Sequence, residues 1–520
     1  MDAHRSVSPE SAQYIDLSQP FSCFDMVDAI FGGSPAIHRC FSLARSFGAN
    51  TLVIENIPAA GIIEDENNEI LDIYADYVCQ GIQRLSFWRP SFKSSKGIVR
   101  RTDDDLIGYA MLKKDFVPNR RNEWHIFESV FKKYEHAHNC VPCPSSFKTQ
   151  ILDKEFSSKG ILYCQQNALN KACAHVALRS LLSRLVPDGD VSYRQLNDIA
   201  VKVSKVPYDP ANGLNVECMQ AVLEAFGIAY ADLDYDKVSK ADPNIRTDVP
   251  YQKYLYAGIE SGCGGLLGFS MSGPKAKDER HIIPFYGHTF NKDTWAPDAD
   301  VAYFRIGENV GYVPSESWTS SFLSHDDNFG PNYCIPRLYI GNDNVDYVVE
   351  LFRPGVLYSG VLAEALALNI LYSLLPSLDG AKNRWISRLL IWTSRQRVVF
   401  RAQAVTAKEY SEHLRNLRDW EGNEENPELC DTLEQEMPTM IWAVEISTPQ
   451  LFPANERKLG EIVLDATQTL DMEDDLSLNK VFLFARLPGH YLLGGDISNG
   501  NPQFTSVESR LQSHTDLIKM

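Results

Sequence analysis

The sharpest change in the pattern of apolar and polar positions lies in residues 160–185, GILYCQQNALNKACAHVALRSLLSRL. The short apolar run at 161–163 is typical of a strand, and the polar residues that follow it predict a turn. From Cys173 onward, apolar residues recur at helical spacing, which predicts a long helix. The pattern therefore predicts a strand, a polar turn and a helix, with a cysteine in the first helical turn.

Upstream, the pattern predicts an N-terminal domain of the α/β or α+β class, residues 1–150. Gly32 and Gly33 separate two predicted helices. Within this domain the periodicity predicts helices over 24–31, 35–47, 69–87 and 124–134 and strands over 51–57 and 106–117.

The segment around Cys173 belongs to a predicted middle domain, residues 151–310. Ser192 is a natural N-cap for a second helix, and a glycine ends a third. The pattern predicts these helices over 192–203 and 216–226, and strands over 266–270 and 281–286.

The remaining residues, 311–520, read as a C-terminal α+β domain. Thr406 and Glu409 form the sequence signature of a capping box at the start of a helix. Long irregular loops are predicted over 315–336 and 421–436, helices over 361–375 and 406–417, and strands over 347–352, 398–405, 440–447, 461–466 and 481–485. Substrate recognition, regulation and assembly are all compatible with this domain.

Composition narrows the class of protein. The chain has 520 residues, 44% hydrophobic and 23% charged, which is typical of a globular protein with two to four domains. The net charge of −18 argues against nucleic acid or an anionic membrane as the main partner.

The most apolar stretch, 355–375, contains Glu364 and Asn369 and therefore predicts a buried helix rather than a membrane span. Eleven cysteines without an export signal predict reduced thiols and a cytoplasmic protein.

Cys173 is the best candidate for a catalytic nucleophile. At the first turn of a helix, exposed N–H groups and the helix dipole favour a thiolate. Gln165 or Gln166, a few residues earlier, is a candidate donor to an oxyanion. A thiol of this kind also needs a base, because the thiolate is the reactive form.

The base and its orienting group are sought in HIIPFYGHTFNKDTW, residues 281–295. His281 begins an apolar strand that would hold an imidazole rigidly. His288 lies seven positions later and would face the other way, so only one of the two histidines faces the cysteine. A hairpin around Gly287 would bring Asp293 opposite His281 as the orienting acid. If the turn lies at 291–292 instead, Asp298 or Asp300 comes nearer.

These motifs resemble those of papain-like cysteine peptidases. The shared features are a glutamine before Cys173-Ala and, further along the chain, His-Ile-Ile, Tyr-Gly and Asp-Thr-Trp. The segment between the cysteine and the histidine, NGLNVECMQAVLEAFGI, resembles the double-glycine leader peptidase branch. The resemblance covers about residues 160–300. It implies a core in which the helix bearing Cys173 packs on an antiparallel sheet bearing His281. It also implies Cys173 as nucleophile, His281 as base, Asp293 as orienting acid and Gln165 or Gln166 as oxyanion donor.

Two other polar clusters offer different chemistry. Four possible zinc ligands lie close together, but zinc sites usually draw on two separated pairs, so a linker is favoured. They are His136, His138, Cys140 and Cys143. The segment 324–331, SHDDNFGP, could bind a metal or reach over an active cleft, although a loop satisfied by its own hydrogen bonds is favoured.

The sequence therefore predicts a cytoplasmic α+β cysteine protease that cleaves a peptide or isopeptide bond in a protein substrate. It predicts no cofactor, no metal in the active site, no nucleic acid partner and no membrane span. The alternatives are a transglutaminase-like acyltransferase or amidase, and a catalytically inactive scaffold with the same fold.

Overall fold

The described part of the chain folds as three large, mainly antiparallel sheets with helices packed on them, which confirms the predicted α+β class. The computed structural model describes residues 12–18, 22–132, 139–142, 144–169, 173–186, 189, 191–203, 213–235, 249–270, 280–293, 311–470, 480–498 and 501–519. Each of these three sheets has seven strands, a fourth sheet has two, and thirteen α-helices lie within these ranges.

The strands are numbered in chain order. They are β1 (Gln13–Asp16), β2 (Thr51–Asn56), β3 (Val78–Trp88), β4 (Leu106–Val117), β5 (Arg121–Lys132), β6 (Asn139–Cys140), β7 (Ser145–Ile151), β8 (Lys154–Tyr163), β9 (Tyr230–Asp234), β10 (Gly265–Ser270), β11 (Arg280–Phe290), β12 (Val313–Pro314), β13 (Thr319–Asp326), β14 (Gly330–Pro336), β15 (Val345–Leu351), β16 (Val399–Thr406), β17 (Met440–Ser447), β18 (Arg457–Lys458), β19 (Gly460–Asp465), β20 (Phe482–Leu487), β21 (His490–Ser498), β22 (Asn501–Glu508) and β23 (Thr515–Asp516).

The helices are numbered in the same way. They are α1 (Ser22–Phe31), α2 (Pro35–Ser46), α3 (Ile62–Ile73), α4 (Ser95–Val99), α5 (Cys173–Leu185), α6 (Tyr193–Val203), α7 (Val216–Ala225), α8 (Tyr251–Glu260), α9 (Gly360–Leu374), α10 (Arg384–Ser394), α11 (Ala407–Asn416), α12 (Pro427–Glu436) and α13 (Phe452–Asn455).

The first sheet has the order β1-β2-β3-β4-β5-β8-β7 and carries α1 and α2 on one face. Two helix predictions in this region are wrong. Residues 124–134 fall mainly in β5, a central strand whose Val130 pairs with Tyr109 on one side and Leu162 on the other. Residues 69–87 split between the end of α3 and β3. In both places pairing with neighbouring strands overrides a local spacing that also fits a helix.

The second sheet positions the candidate site. Its order is β14-β13-β11-β10-β15-β9, with β6 added on β11. Helix α5 packs against Ile282 and Tyr286 of β11, whereas α8 packs against Ile283 and Phe285. Because alternate residues of a strand face opposite ways, the two helices cover opposite faces of the sheet.

The third sheet, β12-β16-β17-β19-β20-β21-β22, forms the largest core together with α9 and α10. The predicted capping box forms, since Glu409 N donates to Thr406 Oγ1 and Thr406 N donates to the Glu409 carboxylate. The predicted loop 421–436 is wrong in its second half, where Asn426 caps α12. By length and composition, Gly360–Ser377 is apolar enough to cross a membrane, but 56% of this window is buried inside the protein.

The division of the chain at residues 150 and 310 stays a prediction. The first sheet continues through β8 to Tyr163, and the second sheet continues through β15 to Leu351. The strand that leads into the Cys173 segment is therefore part of the N-terminal sheet.

Candidate active site

Cys173 is the first residue of α5, as its position in the sequence predicts. The helix is almost entirely buried from Ala174 to Ser183, so it is held firmly between the first and second sheets. The thiol itself is partly exposed. A buried helix that starts at a partly exposed cysteine directs its first backbone N–H groups towards the reactive sulfur.

His281 lies near the start of β11 and interacts with the Cys173 thiol. Its neighbour across the sheet is Phe269 of β10, whose ring meets the imidazole edge-on at 5.6 Å between centroids. The structure therefore brings the two principal predicted residues together. His175 does not take part, because its Nε2 lies 2.8 Å from Asn197 Oδ1 on α6.

Two carboxylates from the β13–β14 hairpin flank the same imidazole. His281 Nε2 lies 3.2 Å from Asp327 Oδ1 and 3.5 Å from Asp326 Oδ2. Asp326 Oδ1 also accepts the backbone N–H groups of Asn328 and Phe329, which fixes the turn of the hairpin. The predicted irregular loop 315–336 is therefore wrong, since its residues form two paired strands that deliver both acids to the site.

Asp293 is not brought to His281. The predicted hairpin around Gly287 does not form, because β11 runs without a reversal from Arg280 to Phe290. About 30 Å of strand separates His281 from Phe290, and Asp293 lies beyond that far end. There its side chain is exposed and its carbonyl accepts the Trp318 indole N–H at 3.0 Å. The alternatives Asp298 and Asp300 lie outside the described residues.

The structure separates the two candidate glutamines. Gln165 is held on β5, where its backbone N–H donates to Ile126 O and its Oε1 accepts from Ile126 N. Gln166 reaches the other side of the site, where its Nε2 donates to Asn328 Oδ1 at 2.6 Å. Gln166 therefore links the segment before Cys173 to the hairpin that carries the acids.

The charges around His281 stabilise its protonated form. Burial alone would lower the pKa of His281, but its contacts with Asp326, Cys173 and Asp327 raise that pKa to about 10. Burial raises the pKa of Asp327 to about 6, although the His281 charge opposes this. Burial acts in the same direction on Asp326, but its hydrogen bonds, the one with His281 foremost, leave the pKa of Asp326 below its usual value. At neutral pH these groups favour an imidazolium beside the sulfur.

A small cavity of about 10 Å³ lies beside the sulfur. It is lined by Cys164, Cys173, Val176, Ala177, Ser180, Ile282, Pro284, His325 and Asp327. Its volume corresponds to about one water molecule.

Two groups of side chains have spacings that could hold a metal ion, counted over the described residues. One is His281, Asp326 and Asp327, and the other is Cys140, Glu260 and His288; within each, the ligand atoms lie within 4.8 Å of one another. Of the four possible zinc ligands considered from the sequence, Cys140 is the one that lies among the described residues, and it interacts with His288. His136, His138 and Cys143 lie outside the described residues.

The fold and site thus define an α+β protein with a cysteine at a helix N-terminus, a histidine on the adjoining sheet and two carboxylates beside it. No family model matches the chain, and no curated protein matches it. Among solved structures it is similar to UfSP from C.elegans, with 10% identity and a TM-score of 0.25. The similarity covers 42% of this chain and 35% of the UfSP chain. A similarity this low does not define the fold or the activity of the protein.

Proposed function

We propose that the protein is a cysteine peptidase with a papain-like catalytic core. The observation that supports this most strongly is the contact between Cys173 at the start of α5 and His281 on β11, with two carboxylates behind the imidazole. A nucleophile, a base and a group that orients the base are the parts that thiol acyl transfer requires.

The reaction begins from a thiolate and an imidazolium. Cys173 Sγ attacks the carbonyl carbon of a peptide or isopeptide bond in a protein substrate, and the carbonyl oxygen becomes an oxyanion. His281 then gives its proton to the leaving amine, which leaves an acyl group on the sulfur. Water, deprotonated by the now neutral His281, hydrolyses this thioester, releases the acid product and regenerates the thiolate and the imidazolium.

Two donors stabilise the oxyanion in this proposal. One is the Cys173 backbone N–H at the start of α5, and the other is the Gln166 side chain. The Gln166 amide carries two hydrogens, of which one is held by Asn328. The second hydrogen is then available for the substrate, and its direction is fixed by the first.

Asp326 and Asp327 share the orienting role that the sequence assigned to Asp293. Asp327 lies closer to the imidazole. Asp326 forms the hydrogen bond with His281 that favours the ionised form of the Asp326 carboxylate. Together they stabilise the imidazolium that forms the ion pair with Cys173.

The test is a comparison of newly formed protein N-termini in cells that express wild type, Cys173→Ala or the control Cys140→Ser. The proposal predicts a set of termini that disappears in Cys173→Ala and persists in Cys140→Ser. Identical termini in wild type and Cys173→Ala would exclude proteolysis by this site. In that case, selective labelling of Cys173 by a thiol-directed electrophile would indicate an acyltransferase or amidase, and no selective labelling would indicate a binding scaffold.

A further inference from the structure

A second cysteine–histidine–carboxylate cluster lies on the same strand, β11, away from Cys173. Cys140 of β6 is paired directly with His288 of β11, so the two side chains lie on the same side of the ladder. The sulfur of Cys140, an imidazole nitrogen of His288 and a carboxylate oxygen of Glu260 lie within 4.8 Å of one another. Glu260 is the last residue of α8.

The two nitrogens of the His288 ring face oxygen atoms that can only accept hydrogen bonds. Nε2 lies 2.6 Å from Glu260 Oε1, and Nδ1 lies 3.3 Å from Thr289 O. Nε2 therefore carries a hydrogen. Burial alone would lower the pKa of His288, but its interactions with Cys140 and Glu260 raise that pKa to about 10, which favours the imidazolium. The ring is buried against Tyr256 of α8, at 5.0 Å between centroids, so this charge needs a partner.

The Glu260 carboxylate is already neutralised. Arg401 Nη2 lies 2.6 Å from Glu260 Oε2, and Gln403 Nε2 donates to the same oxygen. Arg401 also pairs with Glu445, and the chain of buried charges continues through the third sheet. Its members are Glu260, Arg401, Glu445, Lys458, Glu461 and Arg486, which alternate in sign.

This alternation leaves the network without net charge among the described residues, because it contains three acids and three bases. The His288 imidazolium is then an additional positive charge. Cys140 is the remaining ionisable group of the cluster, and it interacts directly with His288.

A metal ion fits this cluster less well than a hydrogen-bonded ion pair. Two ligands of a tetrahedral zinc at about 2.0–2.2 Å lie more than 3 Å apart, whereas Glu260 Oε1 and His288 Nε2 are 2.6 Å apart. The direct contact fills the space that the ion would occupy. Cys140, in contrast to Glu260 and His288, is partly exposed.

We propose that Cys140 is a second reactive thiolate and a modification site for low-molecular-weight disulfides. Cys140 Sγ attacks one sulfur of the disulfide, so a new S–S bond forms to the protein and the bond within the reagent breaks. The leaving thiolate takes a proton from solvent. No electron is gained or lost overall, since the reagent supplies the oxidised sulfur. His288 is a positioning residue that favours the thiolate form before the attack.

The first test is a competition between two thiols of one molecule. Cys334 is the matched control. As a residue it is more exposed than Cys140. Partial burial of its sulfur nevertheless raises the pKa of the Cys334 thiol, which disfavours the thiolate. The full-length Cys173→Ala, Cys143→Ser protein is treated with glutathione disulfide, and peptide mass spectrometry follows each site with time. The proposal predicts that Cys140 reacts about tenfold faster than Cys334 at neutral pH. A Cys140 rate equal to or below that of Cys334 would overturn it.

The second test adds His288→Gln to the same protein. The Cys140 rate should fall about tenfold, whereas the Cys334 rate should not change and so reports that the fold is intact. An unchanged Cys140 rate with an unchanged Cys334 rate would overturn the proposal. If the Cys140 and Cys334 rates both rise because the variant unfolds, the comparison of the two thiols in the protein that retains His288 decides whether the proposal holds. Purified protein that contains one equivalent of zinc, and reacts at Cys140 only after chelation, would also overturn it and identify a metal site.

Discussion

The Cys173 and Cys140 clusters contain the same three functional groups, and both histidines lie on β11, yet their surroundings differ. His281 retains 18% side-chain exposure and faces a thiol at a helix N-terminus, whereas the His288 side chain is 1% exposed and faces a thiol on a two-residue strand. In the proposed mechanism, the backbone N–H of Cys173 and the Gln166 side chain serve an oxyanion at the first cluster.

The carboxylates differ as well. Asp326 and Asp327 lie on a hairpin turn next to the imidazole, whereas Glu260 is locked by Arg401 and Gln403. A thiolate therefore does not by itself make a peptidase. Acyl transfer also requires donors for the oxyanion and a base that can exchange its proton, and these distinguish the first cluster from the second.

The largest expected difference is between the two cysteines. Cys173→Ala should lower peptidase kcat/KM by about 10³-fold or more, because the covalent step is lost. Cys140→Ser should change it less than about twofold, since this sulfur only balances the His288 charge. Both proteins are compared with wild type on a substrate identified from the new termini. A similar loss in both variants would contradict the distinction between the clusters.

The next largest effect is expected at the acids. Asp326→Asn or Asp327→Asn alone should lower kcat about tenfold, because the other carboxylate still faces His281, and the double variant should lose about 10³-fold. Asp293→Asn is the matched control and should retain wild-type kcat. The assignment would be wrong if Asp293→Asn were the damaging change and the double variant kept its activity.

Gln166 and Gln165 offer a comparison between adjacent residues. Gln166→Ala should lower kcat about 100-fold by removing an oxyanion donor. Gln165→Ala should leave kcat within a few-fold but destabilise the fold by about 1 kcal/mol, because its side chain hydrogen bonds to Ile126. Steady-state kinetics and denaturant unfolding of both variants separate the two roles. The reverse pattern would place the donor at Gln165.

The pH profile gives the smallest predicted effect but tests the charges directly. kcat/KM should rise as Asp327 ionises near its pKa of about 6 and fall towards the His281 pKa of about 10. Asp327→Asn should remove the acid limb near pH 6, since no charge is then gained there. A profile with the same acid limb in Asp327→Asn would assign that limb to another group.

The same shifts have consequences for stability. The pKa of Asp327 is raised from 3.8 to about 6 in the folded state. The contribution of this group to the free energy of unfolding is therefore full below pH 3.8 and is lost as pH rises through about 6. For His281, whose pKa is raised from 6.5 to about 10, the contribution to stability is full below pH 6.5, falls progressively above it and is lost as pH rises through about 10.

The sequence predicted the parts of the site that local pattern controls. A cysteine at the start of a strongly periodic helix and a histidine at the start of an apolar strand are both local features, and Cys173 and His281 meet in the structure. The orienting acid depends instead on which strand lies beside β11. Asp293 is nearer in sequence, but β13 is the neighbour in the sheet, and its polar SHDDN end looked like a loop.

The mistakes in the fold have a similar cause. Trp124, Phe127 and Phe131 have a spacing that fits a helix, yet this segment is a central strand between β4 and β8. The Cys140 cluster was beyond sequence reasoning, because β6, β11, α8 and β16 meet only in the folded chain. Its one local signal, the closely spaced His and Cys residues at 136–143, raised a zinc site as the less favoured alternative to a linker and gave no indication of Glu260 or His288.

The proposed ion pair between Cys173 and His281 is tested most directly by the rate at which iodoacetamide alkylates Cys173 at neutral pH in wild type and in His281→Gln. The account predicts rapid alkylation in wild type and a rate about tenfold or more lower in the variant, with the Cys140 rate unchanged in both. Equal Cys173 rates in the two proteins would show that His281 does not activate the sulfur and would contradict the peptidase mechanism.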